Sequence, residues 1–357
     1  MMHNPHSYAL IGSVTANLPL PCRDPSGIKL LIAYKSFSAH SHTGLGITAA
    51  NSVRVLRHVG IDARAVGFGN ASELAKHVAE SHITHVIICA LWIPMVELDA
   101  MITANPDIQF GLVSHSNWTF LQADPNAVKL IREAISLAAL RHNLAVGGND
   151  MRFSESLGVI ERMPTLCLPN LYDCIIPPRR SAHQVCGRTV RVGCFGAPRD
   201  LKNIVTAAAA ALVMARHAGC DLELYLNSGR EEGVAITAVK QLLADRPSAR
   251  LVPVPWSDWN GFLDAISKVD VCLHPSFTES FMVVVADGIM RGVPSVVGET
   301  VGWAPRTWHA PADDVNDIAR VGTMLRNDPN AAYDGYEALV RHVNNALPFW
   351  YAFLGIG

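Results

Sequence analysis

The 357-residue sequence contains no C-x-x-C pair: its 8 cysteines, at positions 22, 89, 167, 174, 186, 194, 220 and 272, are scattered, several of them inside apolar strand-like runs. Cysteines so placed behave as small buried hydrophobes, which argues for a reducing compartment and against structural zinc. Long hydrophobic runs are also missing, since no stretch reaches the roughly 18–20 uninterrupted apolar residues of a membrane span. The opening MMHNPHSYALIGS has no charged segment followed by a long apolar core, so a cytoplasmic protein without an integral span is expected. Peripheral membrane contact through a few exposed aromatics stays open. An excess of one charge is absent too: 29 Lys plus Arg stand against 31 Asp plus Glu, a net charge of −2. No global basic field therefore draws the chain to nucleic acid or anionic lipid. Histidines such as His40, His42, His58 and His85 lack partners at metal-ligand spacing, and no metal site is expected.

What the chain does have is apolar content, with half of its residues hydrophobic and 17% charged, enough to build large cores. Its length suits two domains. From Lys29 onward, short apolar runs such as LLIAY (30–34), HVIICAL (85–91) and FGLVSH (110–115) alternate with segments whose apolar residues recur at helical spacing. Strands that alternate with helices pair in parallel, because a parallel connection needs a crossover element. The stretch CIIPPRRSAHQVCGR, with its paired prolines, interrupts the pattern, and TVRVGCFG (189–196) restarts it. The expected fold is therefore α/β, with two Rossmann-like domains facing across a cleft. Residues 1–28 would form an N-terminal extension, 29–177 the first domain, 178–340 the second, and 341–357 an apolar tail packing back on the first.

In open parallel sheets ligands bind beyond the carboxyl ends of the strands, so the loops that follow strands hold the candidate site. Four stand out. HTGLG (His42 to Gly46) precedes a helix, and Gly44 and Gly46 would let the backbone approach an anion, although a plain tight turn explains them equally well. GAPRDLKN (196–203) sets Arg199 and Lys202 three apart at a helix start, where cations oppose the helix dipole unless an anion, such as a diphosphate, lies between them. HPSFTESF (274–281) carries Glu279, with Asp287 eight residues on. By spacing alone, Glu279 reads as a helix-capping acid and Asp287 as an i+4 partner of Arg291, or the two as ligands for sugar and ribose hydroxyls. SHSNW (114–118) ends a strand with His115, a structural hydrogen-bonder or a catalytic group.

Taken in order, G-L-G before a helix, L-P-N-L-Y-D (168–173), V-G-C-F-G-A-P-R-D-L-K-N and H-P-S-F-T-E-S-F-x5-D-G-I-M-R-G-V-P-S-V-V resemble the GT-B glycosyltransferases, most nearly the retaining family 4 group, over about residues 29–300. The resemblance implies that Arg199 and Lys202 hold the donor diphosphate and that Glu279 contacts the donor sugar. Backbone at Gly196, Ser280, Phe281 and Met282 would approach sugar and phosphate, and Asp287 would take the ribose. His115 would stand near the reacting centre, with the Gly44–Gly46 segment beside donor or acceptor. Asp287 replaces the family's second Glu, Ser280-Phe281-Met282 replaces Gly-Phe-Gly, and Cys194 replaces an Arg whose charge Arg199 would supply.

The implied activity is metal-independent hexosyl transfer from a nucleotide sugar, a UDP- or GDP-sugar, with retention and without a further cofactor. Its acceptor would be a glycan, a small molecule or, less in keeping with the net charge, DNA carrying a modified base touched by Arg179–Arg180 and Arg188–Arg191. Rival readings are an epimerase or phosphorylase of the same architecture, and a degenerate GT-B chain that binds without turnover.

Overall fold

The computed structural model describes residues 18–36, 44–79, 82–179, 188–228 and 234–357. Expectations resting on His40, His42, Arg180, Cys186 and the first seventeen residues of the extension lie outside this set.

The first half alternates as β1 (Lys29–Lys35), α1 (Gly44–His58), β2 (Asp62–Phe68), α2 (Ala71–Ala79), β3 (His85–Cys89), α3 (Met95–Ala104), β4 (Gln109–Ser114), α4 (Trp118–Leu121), α5 (Pro125–Ala138), β5 (Leu144–Gly148), α6 (Met151–Glu161) and β6 (Leu166–Cys167). The second continues with β7 (Thr189–Cys194), α7 (Ile204–Ala218), β8 (Asp221–Ser228), α8 (Ala235–Leu243), β9 (Ala249–Pro255), α9 (Trp259–Ile266), β10 (Val271–His274), α10 (Val283–Met290), β11 (Ser295–Val297), α11 (Val315–Asn327) and α12 (Ala331–Phe353). Pairing produces a six-stranded sheet in the order β2-β1-β3-β4-β5-β6 and a five-stranded sheet in the order β11-β10-β7-β8-β9. Every pairing registered within them is parallel. Both sheets are thus of Rossmann-like type, and the strand order of the second reverses between β7 and β10, where ligand crevices open.

Strand interiors are apolar on both faces, as in β1, where Leu30, Leu31, Ile32 and Ala33 are each at most 1% exposed. The helices bury one stripe. Local signals set several starts: Asn117, Asp124, Asp150 and Asp258 accept backbone N–H groups at the first turns of α4, α5, α6 and α9. One contiguous apolar core joins β1 and α1 of the first sheet, β7, β8 and β10 of the second, and α12.

Three elements depart from the expected boundaries. Helix α1 begins at Gly44, so Gly44 and Gly46 lie in its first turn and not in a preceding loop. Lys202 sits not on α7 but on a separate 3-10 turn, Asp200–Lys202, which Arg199 precedes in extended conformation and Asn203 joins to α7 in the left-handed conformation (φ 56°). The segment PFWYAFLGIG, expected as a tail, is mostly the end of α12, which runs through Pro348. There Trp350 Nε1 donates to the Pro169 carbonyl (2.9 Å), and Phe353 meets His85 of β3 edge to face with ring centroids 5.6 Å apart.

Candidate active site

Side chains from the carboxyl ends of both sheets enclose a cavity of about 770 Å³. That is in the range of small-molecule sites, roughly 300–1,000 Å³. Lys35 at the end of β1, Ala90 after β3 and His115 after β4 line it from the first sheet. The loops after β7, β9 and β10, together with Asn227 near the end of β8, line it from the second.

Two of those loops carry most of the charge. The 3-10 turn and the β10–α10 loop are tied by backbone: Phe277 N–H and Ser276 Oγ–H both donate to the Leu201 carbonyl, each at 3.0 Å. Asn203 adds side-chain N–H bonds to the carbonyls of Pro275 (2.9 Å) and Ala312 (2.6 Å). Arg199, in extended conformation just before the turn, and Lys202, at its end, both reach the cavity. Arg199 lies over the Phe120 ring, 5.3 Å from its centroid, so a cation of the second sheet touches the first. Lys202 Nζ donates to Glu279 Oε1. Glu279 therefore does not cap α10, which starts four residues later; it faces Lys202 with only 10% of its side chain exposed. Beside this pair, burial and the Lys202 charge push the His274 imidazole down to about 3.

Asp287 is fully buried at the cavity floor. Its Oδ1 accepts from Tyr172 O–H (2.5 Å) and Trp259 Nε1–H (3.0 Å), while Oδ2 has no hydrogen-bond partner among the described residues. Burial raises its carboxyl to about 7 despite those two donors. It does not pair with Arg291, which instead lies 3.7 Å from Asp264. The Tyr172 hydroxyl is pushed well up by burial and by the adjacent carboxylate.

The far wall is a set of amides. Asn117 donates to the Glu279 carbonyl (3.1 Å) and accepts from Thr278 Oγ–H, bridging the two sheets. Asn149 Nδ2 lies 3.3 Å from His115 Nδ1, 3.1 Å from Asn170 Oδ1 and 3.1 Å from Ser280 Oγ. His115 lines the cavity, its Nε2 lacks a partner among the described residues, and burial pushes its pKa down to about 4.

The fold thus brings His115, Arg199, Lys202, Glu279, Gly44, Gly196, Ser280, Phe281, Met282 and Asp287 to one cavity, while Gly46 is buried in α1 outside its lining. Gly196 takes φ +106°, a conformation side chains rarely adopt, and its N–H donates to Asn227 Oδ1 (2.7 Å). Met282 occupies the left-handed region at φ 67° without being glycine. Asn117, within SHSNW, and Asn170 and Tyr172, within LPNLYD, are given no role by the sequence alone, and Trp259 and Asn149, the latter directly after β5, are missed by it. No group of three or more His, Cys, Asp or Glu side chains among the described residues is placed to hold a metal. No helix among them is long and apolar enough to cross a membrane.

Two Rossmann-like sheets facing across a cavity built from their strand ends have the architecture of the GT-B glycosyltransferases. The chain belongs to the family described as family 4 glycosyltransferases in conflict systems, which matches residues 145–346, more than half its length. Solved structures share the fold at low identity. The UDP-forming α,α-trehalose-phosphate synthase of Burkholderia xenovorans superposes with a TM-score of 0.58 at 11% identity, covering 92% of this chain and 99% of its own. The sucrose-phosphate synthase of Thermosynechococcus elongatus does so with a TM-score of 0.56 at 15% identity, covering 91% and 96%. No curated protein sequence matches.

Proposed function

We propose that the protein transfers a hexosyl group from a nucleoside-diphosphate sugar, with uridine or guanosine as the nucleoside, to a hydroxyl acceptor with retention of anomeric configuration. The observation that carries this reading is the joining of Arg199, Lys202 and Glu279 at one cavity wall between β7 and β10. Breaking the bond between the anomeric carbon and the donor phosphate oxygen leaves negative charge on the diphosphate. Two fixed cations on the wall of the cavity stabilise that charge as it develops. The Lys202 ammonium has three protons, so it can keep Glu279 and still donate to a phosphate oxygen.

The new bond joins the anomeric carbon to the acceptor oxygen on the face the diphosphate leaves, and the acceptor proton passes to a phosphate oxygen of the departing group. Glu279 takes sugar hydroxyls and acts as no nucleophile; Asp287 offers its unpartnered Oδ2 to the ribose. Arg199 and Lys202 supply the cationic charge from the protein itself, so the step as drawn calls on no metal ion.

A thermal-shift screen against UDP-, GDP-, ADP- and dTDP-sugars tests the reading, since a ligand that binds only the native state at a hundred times its Kd adds about 2.7 kcal/mol. One nucleotide series should raise the midpoint, and product analysis with that donor should give a glycoside with the donor's anomeric configuration. Absence of any shift across all four would overturn it. Donor conversion without an acceptor, or consumption of inorganic phosphate, would reassign the chain as an epimerase or a phosphorylase.

A further inference from the structure

The amide cluster at the first-sheet wall determines what His115 can do. Ser280 Oγ has one proton, and it is directed at the His115 carbonyl, 3.2 Å away. Its contact with Asn149 at 3.1 Å must therefore be an accepting one, so Asn149 presents its NH2 side to this cluster. The same nitrogen faces Asn170 Oδ1 and His115 Nδ1, two amide protons serving three acceptors. A ring nitrogen that faces an amide donor carries no proton, which leaves the proton of the neutral imidazole on Nε2. That Nε2, buried and without a partner among the described residues, belongs to a side chain of the cavity wall.

We propose that Asn149 is a positioning residue that holds His115 as its Nε2–H tautomer, so that His115 meets the bound substrate as a hydrogen-bond donor and not as the base that removes the acceptor proton. This rests on the sugar-transfer reading for what the substrate is, but not for the tautomer. The lock is made across the cleft: Asn149 and His115 follow strands of the first sheet, Ser280 follows β10 of the second, and the Asn149–Ser280 bond spans 131 residues of sequence. His115 is thus set as a donor where the two halves meet.

Nitrogen-15 NMR of the histidine-labelled full chain, without substrate, reads the tautomer directly. The wild type should show His115 neutral with the proton on Nε2; a proton on Nδ1 would overturn the proposal whatever the variants do. Asn149→Asp, nearly isosteric, puts a carboxylate beside Nδ1 and should move the proton there; an unchanged tautomer in that variant would also overturn it. With the donor found by the thermal screen, Asn149→Asp should lower kcat about 10- to 100-fold at little-changed KM. Asn149→Asp combined with His115→Ala should be no slower than His115→Ala alone, whereas additive losses would show that Asn149 acts independently of the ring. Should no nucleotide sugar bind, the sugar-transfer reading fails while the tautomer result stands by itself.

Discussion

At the scale of single residues, the proposed chemistry rests on the cations Arg199 and Lys202 and the carboxyls of Glu279 and Asp287 that line the cavity. Lys202 is the sharpest case, because it bonds Glu279 in a nearly closed corner. Lys202→Ala should cut donor turnover by about two orders of magnitude, the usual loss when one fixed stabiliser of transition-state charge is removed. Steady-state kinetics with the cognate donor checks this, and an unchanged kcat would release Lys202 from the role. Asp287 makes a prediction of opposite character, in stability. Its folded-state pKa of about 7 lies above the ordinary 3.8, so between those values the folded chain binds more protons than the unfolded one. Stability credited to this group is therefore greatest at low pH and is lost as pH rises from about 4 to about 7. Asp287→Asn keeps an acceptor for Tyr172 and Trp259 without a buried charge, so its melting temperature should gain on the wild type between about pH 5 and pH 7.5. A difference that does not change with pH would show that Asp287 ionises normally.

At the scale of elements, the parts most readable in the sequence were those whose signal is periodic. Apolar strand runs and helical stripes are local, and residues in loops after strands, such as Arg199, Lys202 and Glu279, inherit their position from the topology. The amide network was illegible because a hydrogen bond between Asn117 and Glu279, 162 residues apart, leaves no trace in spacing. Helix α12 continues through the segment expected as a tail although Pro348 costs about 3 kcal/mol in a helix interior. Burial of Leu347, Trp350, Tyr351 and Leu354, each worth about 1.5–3 kcal/mol, overrides it. Asn203 shows the same point at a joint. It takes the left-handed conformation that ends the 3-10 turn, accepts from Thr206 Oγ–H (2.6 Å), and holds two carbonyls. Asn203→Ala should cost about 2–4 kcal/mol, from lost buried hydrogen bonds plus the poorer tolerance of Ala than Asn for the left-handed conformation. Asn203→Gly, which restores only that tolerance, should recover about 1 kcal/mol of it. Urea unfolding of both variants measures the split, and equal midpoints would mean that the backbone conformation contributes nothing.

At the scale of the whole molecule, each sheet has an apolar cluster of its own on one face, but the largest core is shared between them. Residues of β1 and α1, of β7, β8 and β10, and of α12 belong to one apolar cluster, and Tyr172, at the junction between the halves, bonds Asp287 of α10. A chain of 357 residues with two Rossmann-like sheets would ordinarily be expected to melt in parts. Here the shared core couples them, because exposing the face of either sheet also uncovers α12. Trp350 tests the coupling: it is 4% exposed, lies on α12, and donates to the Pro169 carbonyl at the junction. Trp350→Ala should lower stability by about 3–5 kcal/mol, the usual loss for a buried large aromatic. It should do so by moving a single calorimetric transition to lower temperature, with the van't Hoff and calorimetric enthalpies still in agreement. Two resolved transitions in the wild type would show that the sheets unfold independently. A variant whose second transition stays at the wild-type temperature would show that α12 belongs to the first sheet alone. Since the cavity lies between the two sheets, coupled unfolding also means that a donor bound at Arg199 and Lys202 should raise the midpoint of the whole chain and not of its second half only.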